Sequence, residues 1–161
     1  MGRPRHGAEM DGFGLAARHF SCTVREISLE ENSPVKRNQI SLRPLQKALS
    51  SLERAVAQPK DEFSRDSVIQ RFEYTFELCW KTLQKVLESD RPLADPSVRG
   101  ILREAARLSF VTDLDLWYRF HESRNLTSHT YNEETAEEVF SVAVRLPAEA
   151  RKLLVRLEPK P

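Results

Sequence analysis

Glycine is nearly missing from most of this chain. Four of its five glycines, Gly2, Gly7, Gly12 and Gly14, fall within the first fourteen residues, and Gly100 stands alone in the rest. A Gly-rich phosphate cradle has nowhere to form, and neither a Walker sequence nor a Cys/His zinc spacing occurs. A Gly-Ser followed by paired aspartates, the pattern expected of a nucleotidyltransferase, is also missing, so the chain is not expected to bind ATP as a catalyst. Cysteine is scarce: Cys22 and Cys79 are the only two, and they are not expected to pair. That suits a reducing cytoplasm. No apolar run approaches the roughly 18 residues needed to span a membrane, and the N-terminus lacks a secretory apolar core. Charge of either sign is not in excess, because the formal net charge is +1. No global field draws in nucleic acid, and any RNA contact must come from a local patch.

What remains is the composition of a charge-covered helical domain, 30% charged and 40% hydrophobic. Residues 1–39 mix Gly, Arg, His and Pro without a sustained period and read as a loose N-terminal extension, with Met10 as a second candidate start. Residues 40–158 read as one helical domain. Leu45, Leu49, Leu52 and Val56 predict a helix from about Leu42 to Ala57, with Pro44 in its first turn. Phe63, Ile69, Phe72, Phe76, Cys79, Leu83 and Val86 predict a long second helix from about Lys60 to Ser89. A short third helix, Ser97 to Leu108, follows the Asp90–Pro96 break. A fourth runs from the N-cap Asp113, with Leu116, Trp117 and Phe120 inward. A fifth runs from Asn132 to about Leu157, kinked or broken near Pro147. The pattern predicts an all-α, antiparallel helical bundle with short loops.

Between the fourth and fifth helices lies Arg124-Asn-Leu-Thr-Ser-His129-Thr-Tyr131. A guanidinium can fork onto a phosphate, and an imidazole ordinarily titrates near neutrality and can move a proton. Together they are a minimal kit for phosphodiester chemistry. Plainer readings compete. Arg124 could be a solvated charge or pair with Glu122 or Asp115, and His129 could cap a helix end. Five residues on an ideal helix rotate about 140°, so Arg124 and His129 converge only if the helix turns between them. Thr127 and Ser128 are residues that favour such a change. Glu73 and Glu77, at i, i+4 on the long helix, are auxiliary candidates: acid–base groups or metal ligands, or ion pairs to Arg71, Lys81 or a facing helix. His121 reads as an exposed helical histidine that could share a face with Arg124. Phe72, Phe76 and Trp80 read as core rather than a stacking platform.

Arg-x4-His-x-Tyr, with Asn125 directly after Arg124, resembles the motif of HEPN-domain toxins of the HepT-like branch, also called nucleotidyltransferase substrate-binding proteins. The run Arg65-Asp66-x-Val68-Ile69-Gln70-Arg71-Phe72-Glu73-Tyr74-Thr75-Phe76-Glu77-Leu78-Cys79-Trp80-Lys81-Thr82-Leu83 resembles the family's long central helix, and Arg103-Glu104-Ala105 also matches. The resemblance spans about residues 42–158. It implies a HEPN-type four-helix bundle with the short third helix as an extra element, and a homodimer that brings two motifs together. It further implies the toxin of a type VII toxin–antitoxin pair, acting as a metal-independent endoribonuclease. His129 would transfer the proton, Arg124 would bind the scissile phosphate, and Asn125 would orient phosphate or imidazole. The implied partner is a minimal nucleotidyltransferase antitoxin, in a heterotetramer or larger assembly, that uses ATP and magnesium to adenylylate Tyr131. The chain itself would need no cofactor. Two other readings are a non-catalytic substrate-binding subunit of the nucleotidyltransferase and a helical dimerisation module with a structural motif.

Overall fold

The computed structural model describes residues 39–158. All but the last residue of the expected extension, Cys22 included, lies outside them. Six helices occur in this span: α1 (Arg43–Val56), α2 (Glu62–Glu88), α3 (Val98–Arg107), α4 (Leu114–Leu126), α5 (Glu133–Ala143) and α6 (Leu146–Leu157). A 3-10 turn, Thr127–His129, joins α4 towards α5. The described residues contain no strand.

Side-chain chemistry sets the helix starts. Asp61 caps α2: its carboxylate accepts the Ser64 N–H at 2.6 Å, while its own N–H donates to Ser64 Oγ at 2.8 Å. This reciprocal box satisfies donors that the first turn leaves free, and starts the helix after Lys60. Ser97 Oγ accepts the Gly100 N–H at 3.1 Å, and Asp113 accepts the Leu116 N–H at 2.9 Å. Pro44 occupies the first turn of α1. Gly100 packs so closely on the preceding loop that a Cβ there would lie 2.4 Å from the Asp95 carbonyl oxygen.

The 27 residues of α2 make a rod of about 40 Å, and the other helices arrange themselves along it. The short connection from Val56 to Glu62 folds α1 and α2 back on each other, and Ser51 of α1 accepts from Arg71 Nε of α2 at 3.2 Å. On another flank, Arg124 of α4 meets Glu73 and Glu77, Glu133 of α5 meets Arg65, and Glu137 meets both Arg65 and Lys60. The succession shows α4, the 3-10 turn and α5 descending α2 in the opposite direction. α6 runs back beside α1, tied by Arg151 to Glu53. The result is an antiparallel four-helix bundle, in which α4 and α5 succeed each other along one flank of α2 and α3 is the additional short helix. No described helix is long and apolar enough to cross a membrane.

Phe72, Phe76, Trp117 and Phe120 fill the centre, all fully buried. Trp117 meets Phe120 edge-on at 5.7 Å, and Phe120 meets Phe72 at 6.2 Å. Truncating one such ring to alanine typically costs about 3–5 kcal/mol. Cys79 is buried among them, and burial pushes its thiol pKa up. Trp80 is only half-buried, at the edge of the core.

One expectation changes and one is met. Phe63 does not join the buried stripe of α2; it is 84% exposed. It stands nine residues before Phe72, and nine steps of 100° put it half a turn away, on the opposite face. The break expected near Pro147 is present: the last helical stretch is two helices, parted at Val144 and Arg145. Pro147 sits in the first turn of α6, where its missing N–H leaves no intrahelical bond unmade.

Candidate active site at the junction of α4 and α5

Arg124 lies in the last turn of α4. Beyond it, three hydroxyls bond back onto the chain. Thr127 Oγ1 donates to the Arg124 carbonyl at 2.8 Å, Ser128 Oγ to that of Asn125 at 3.5 Å, and Thr130 Oγ1 to that of Thr127 at 3.0 Å. Such back-bonds compete with the α-helical ladder, and the chain tightens into the 3-10 turn. The helix therefore changes its winding between Arg124 and His129. Asn132 closes the junction: its side-chain oxygen accepts the N–H groups of Glu134 at 2.9 Å and Thr135 at 3.4 Å.

The motif residues differ in setting. The guanidinium of Arg124, about a third exposed, stands 3.5 Å from Glu73 Oε1 and 3.5 Å from Glu77 Oε2. Its partners are thus on the facing helix, and not Glu122 or Asp115. Glu122 pairs instead with Arg99 at 2.7 Å. Glu77 also holds Lys81 at 2.5 Å. That hydrogen bond, then the charges of Lys81 and Arg124, hold the Glu77 carboxyl below its ordinary range. Arg71 takes neither carboxylate; it bonds Ser51 and Ser67.

His129 and Tyr131 are exposed, with their rings 6.2 Å apart and nearly perpendicular. Tyr131 is 88% exposed. Asn125 is also exposed. No hydrogen bond joins Arg124 to His129 among the described residues of one chain; Arg124 is paired with Glu73 and Glu77 instead. His121, one turn before Arg124, is half-buried and stacks on Phe76 at 6.2 Å, rather than standing free. Burial, followed by the positive charges of Arg99 and Arg124, lowers its pKa. Among the described residues no group of three His, Cys, Asp or Glu side chains could hold a metal ion.

One residue of the region had no role in the sequence. Arg65 is buried, and pairs with Glu133 and Glu137 of α5. The signal was present: Arg65 precedes Val68, Ile69, Phe72 and Phe76 by three, four, seven and eleven residues, a core position on α2. The same contacts show that Glu133 and Glu137 face this chain's own cations.

Known proteins share this fold. Residues 40–159 match the family model described as nucleotidyltransferase substrate binding protein like. A Haemophilus influenzae protein named probable ribonuclease HepT is 32% identical over 120 residues, spanning 65% of this chain and 82% of that protein. Among solved structures, a Thermus thermophilus protein superposes with a TM-score of 0.64 at 33% identity, covering 71% of this chain and 99% of that one. A Haemophilus influenzae protein described as revealing the fold of a substrate binding domain of a nucleotidyltransferase has a TM-score of 0.66 at 31% identity, covering 73% and 98%. Fold and overall sequence agree, and the chain belongs to the HepT-like family of nucleotidyltransferase substrate-binding proteins.

Proposed function

We propose that this chain is the toxin of a HEPN/minimal-nucleotidyltransferase (type VII) toxin–antitoxin pair, a metal-independent RNA endonuclease neutralised by adenylylation of Tyr131. The observation that carries the reading is the junction itself. It presents Arg124 on the flank of α2 and exposes His129 and Tyr131 just beyond the turn. The name of the Haemophilus relative supports RNA cleavage, and the family's description supports a nucleotidyltransferase partner.

Chemically, the RNA 2′-hydroxyl attacks the adjacent phosphorus, a new P–O bond forms, and the P–O5′ bond breaks. His129 accepts the 2′ proton or delivers one to the leaving 5′ oxygen. Arg124 binds the phosphate and stabilises its developing charge, while Asn125 orients phosphate or imidazole. The long 3.5 Å contacts to Glu73 and Glu77 hold the guanidinium in place while leaving it free to turn to a phosphate. One motif histidine per chain supplies one acid–base group, so a homodimer pairing two junctions completes the site. The protein is read as cytoplasmic, with RNA as substrate. The ATP and magnesium belong to the partner's reaction, in a heterotetramer or larger assembly.

The exposure of Tyr131 also suits a second reading, a non-catalytic subunit that presents the tyrosine to the nucleotidyltransferase. Incubating purified wild type, Arg124→Ala and His129→Ala with cellular RNA separates the two. Cleavage by wild type and its loss in both variants, with helicity intact, is expected. Equal cleavage by all three overturns the site assignment, and no cleavage by an unmodified wild type favours the subunit.

A further inference from the structure

Arg65 is a permanent cation in a core position of α2, with its side chain only 6% exposed. Its Nη1 donates to Glu133 and, at 3.2 Å, to Glu137. Its Nε reaches the neighbouring Asp66 at 3.4 Å. Lys60 adds a second cation on Glu137, at 2.5 Å. Hydrogen bonding to Glu133, and then to Glu137, favours the charged guanidinium against its burial. A buried charge stripped of its partners is strongly destabilising, whereas exposed carboxylates can turn to water. Glu133 is 74% exposed. The need is therefore one-sided: Arg65 requires α5 more than α5 requires Arg65.

Glu133 is the first residue of α5, one after the Asn132 cap and two after Tyr131. The first turns of α5 have little apolar grip, because the residues that the helix buries are Ala136, Val139 and Ala143. The ion cluster therefore acts with the Asn132 cap to restrain where this helix begins. The 3-10 turn that ends at His129 is fixed at its other end by α4, so its attitude depends on that start.

We propose that Arg65 is a positioning residue: by holding Glu133 and Glu137 it fixes the start of α5, and so the attitude of His129 and Tyr131. The inference rests on the ribonuclease and adenylyl-acceptor reading above, and it assigns to a residue outside the motif the geometry that both reactions use. Small displacements of reacting groups reduce turnover steeply.

The test uses the full chain with Arg65→Gln, Arg65→Lys and the double variant Glu133→Gln/Glu137→Gln, which leaves the buried face of α5 intact. Amide hydrogen exchange is read on peptides covering residues 127–137, alongside kcat and KM for RNA cleavage. In the double variant, exchange at the junction should rise by about tenfold or more while α1 and the centre of α2 stay protected. Its kcat should fall by about tenfold or more without a rise in KM. Arg65→Lys should keep most of the kcat that Arg65→Gln loses. Unchanged exchange in the double variant overturns the proposal, and so does raised exchange with undiminished kcat. If wild type cleaves no RNA, the functional reading fails by itself, and the exchange measurement still decides whether Arg65 holds the junction.

Discussion

Arg124 and Glu77 face each other across α4 and α2 at 3.5 Å, and the same carboxylate holds Lys81 at 2.5 Å. Glu77 thus belongs more to Lys81 than to Arg124. A phosphate approaching Arg124 must work against this carboxylate's negative charge. Glu77→Gln removes that charge and keeps the shape, so KM for RNA should fall by about threefold at low ionic strength, with the gain fading as salt rises. Stability should change by less than about 1 kcal/mol, as for other half-exposed pairs. Steady-state kinetics across a salt series decides. A hundredfold loss of kcat at unchanged KM would instead place Glu77 in the proton transfers.

The relation of Arg124 to α2 also marks where the sequence stops being legible. Helix existence was readable because Leu45, Leu49 and Leu52, or Phe72, Phe76 and Leu83, repeat at helical spacing, and caps such as Asp113 and Asn132 are local chemistry. Phe63 lies close to the stripe in sequence, but the helical rotation carries it to the opposite face. Glu73 and Glu77 were recognised as a pair, yet which cation they meet depends on which helix lies opposite. No local rule contains that. Arg65 was hidden for a related reason: a charge at a core position is explained only by carboxylates 68 and 72 residues away. His129 and Tyr131 were legible as a motif, since their spacing is itself the signal.

Ser109 carries a correctable strain. It follows α3 with φ of 63°, a left-handed conformation that favours glycine. The helix ends in a double bond pattern, Phe110 N–H to the Ala105 carbonyl at 2.9 Å and Ser109 N–H to that of Ala106 at 3.0 Å. That geometry demands the positive φ. Ser109→Gly should therefore stabilise the fold by up to about 1 kcal/mol. Urea denaturation is the measurement, and a lower midpoint in the variant would contradict the account.

Acid should weaken the fold in part through Glu104. Its carboxyl is held at about 2 by hydrogen bonds from Arg107 and Arg91, followed by their charges. A carboxyl whose folded pKa lies below its unfolded value contributes stability that is present above about 4.5 and is lost as pH falls through about 2. In that window the unfolded chain binds the extra proton, so stability rises with pH. Glu104→Gln should flatten this part of the curve. Melting temperatures from acid to neutral pH check it; parallel curves for wild type and variant would show that Glu104 carries no linkage.

Under the proposed function, Tyr131 is the adenylyl acceptor that controls the toxin. It is 88% exposed, beside His129 and ahead of the α5 cap, so a second protein can reach its hydroxyl without unfolding the junction. Attack of that hydroxyl on the α-phosphorus of ATP would form an O–P bond and release pyrophosphate, leaving AMP on the tyrosine. The added phosphate is an anion close to the motif. It can occupy the guanidinium of Arg124 that RNA needs, and the nucleotide's bulk blocks approach. Neutralisation should then require the partner's chemistry as well as its binding. Incubation with a minimal nucleotidyltransferase, ATP and magnesium, followed by peptide mass spectrometry, should place AMP on the Tyr131 peptide and none there in Tyr131→Phe. RNA cleavage should fall with the modified fraction. If a catalytically dead partner silences toxic Tyr131→Phe as fully as the active partner silences wild type, inhibition works by masking, and the tyrosine is not the switch.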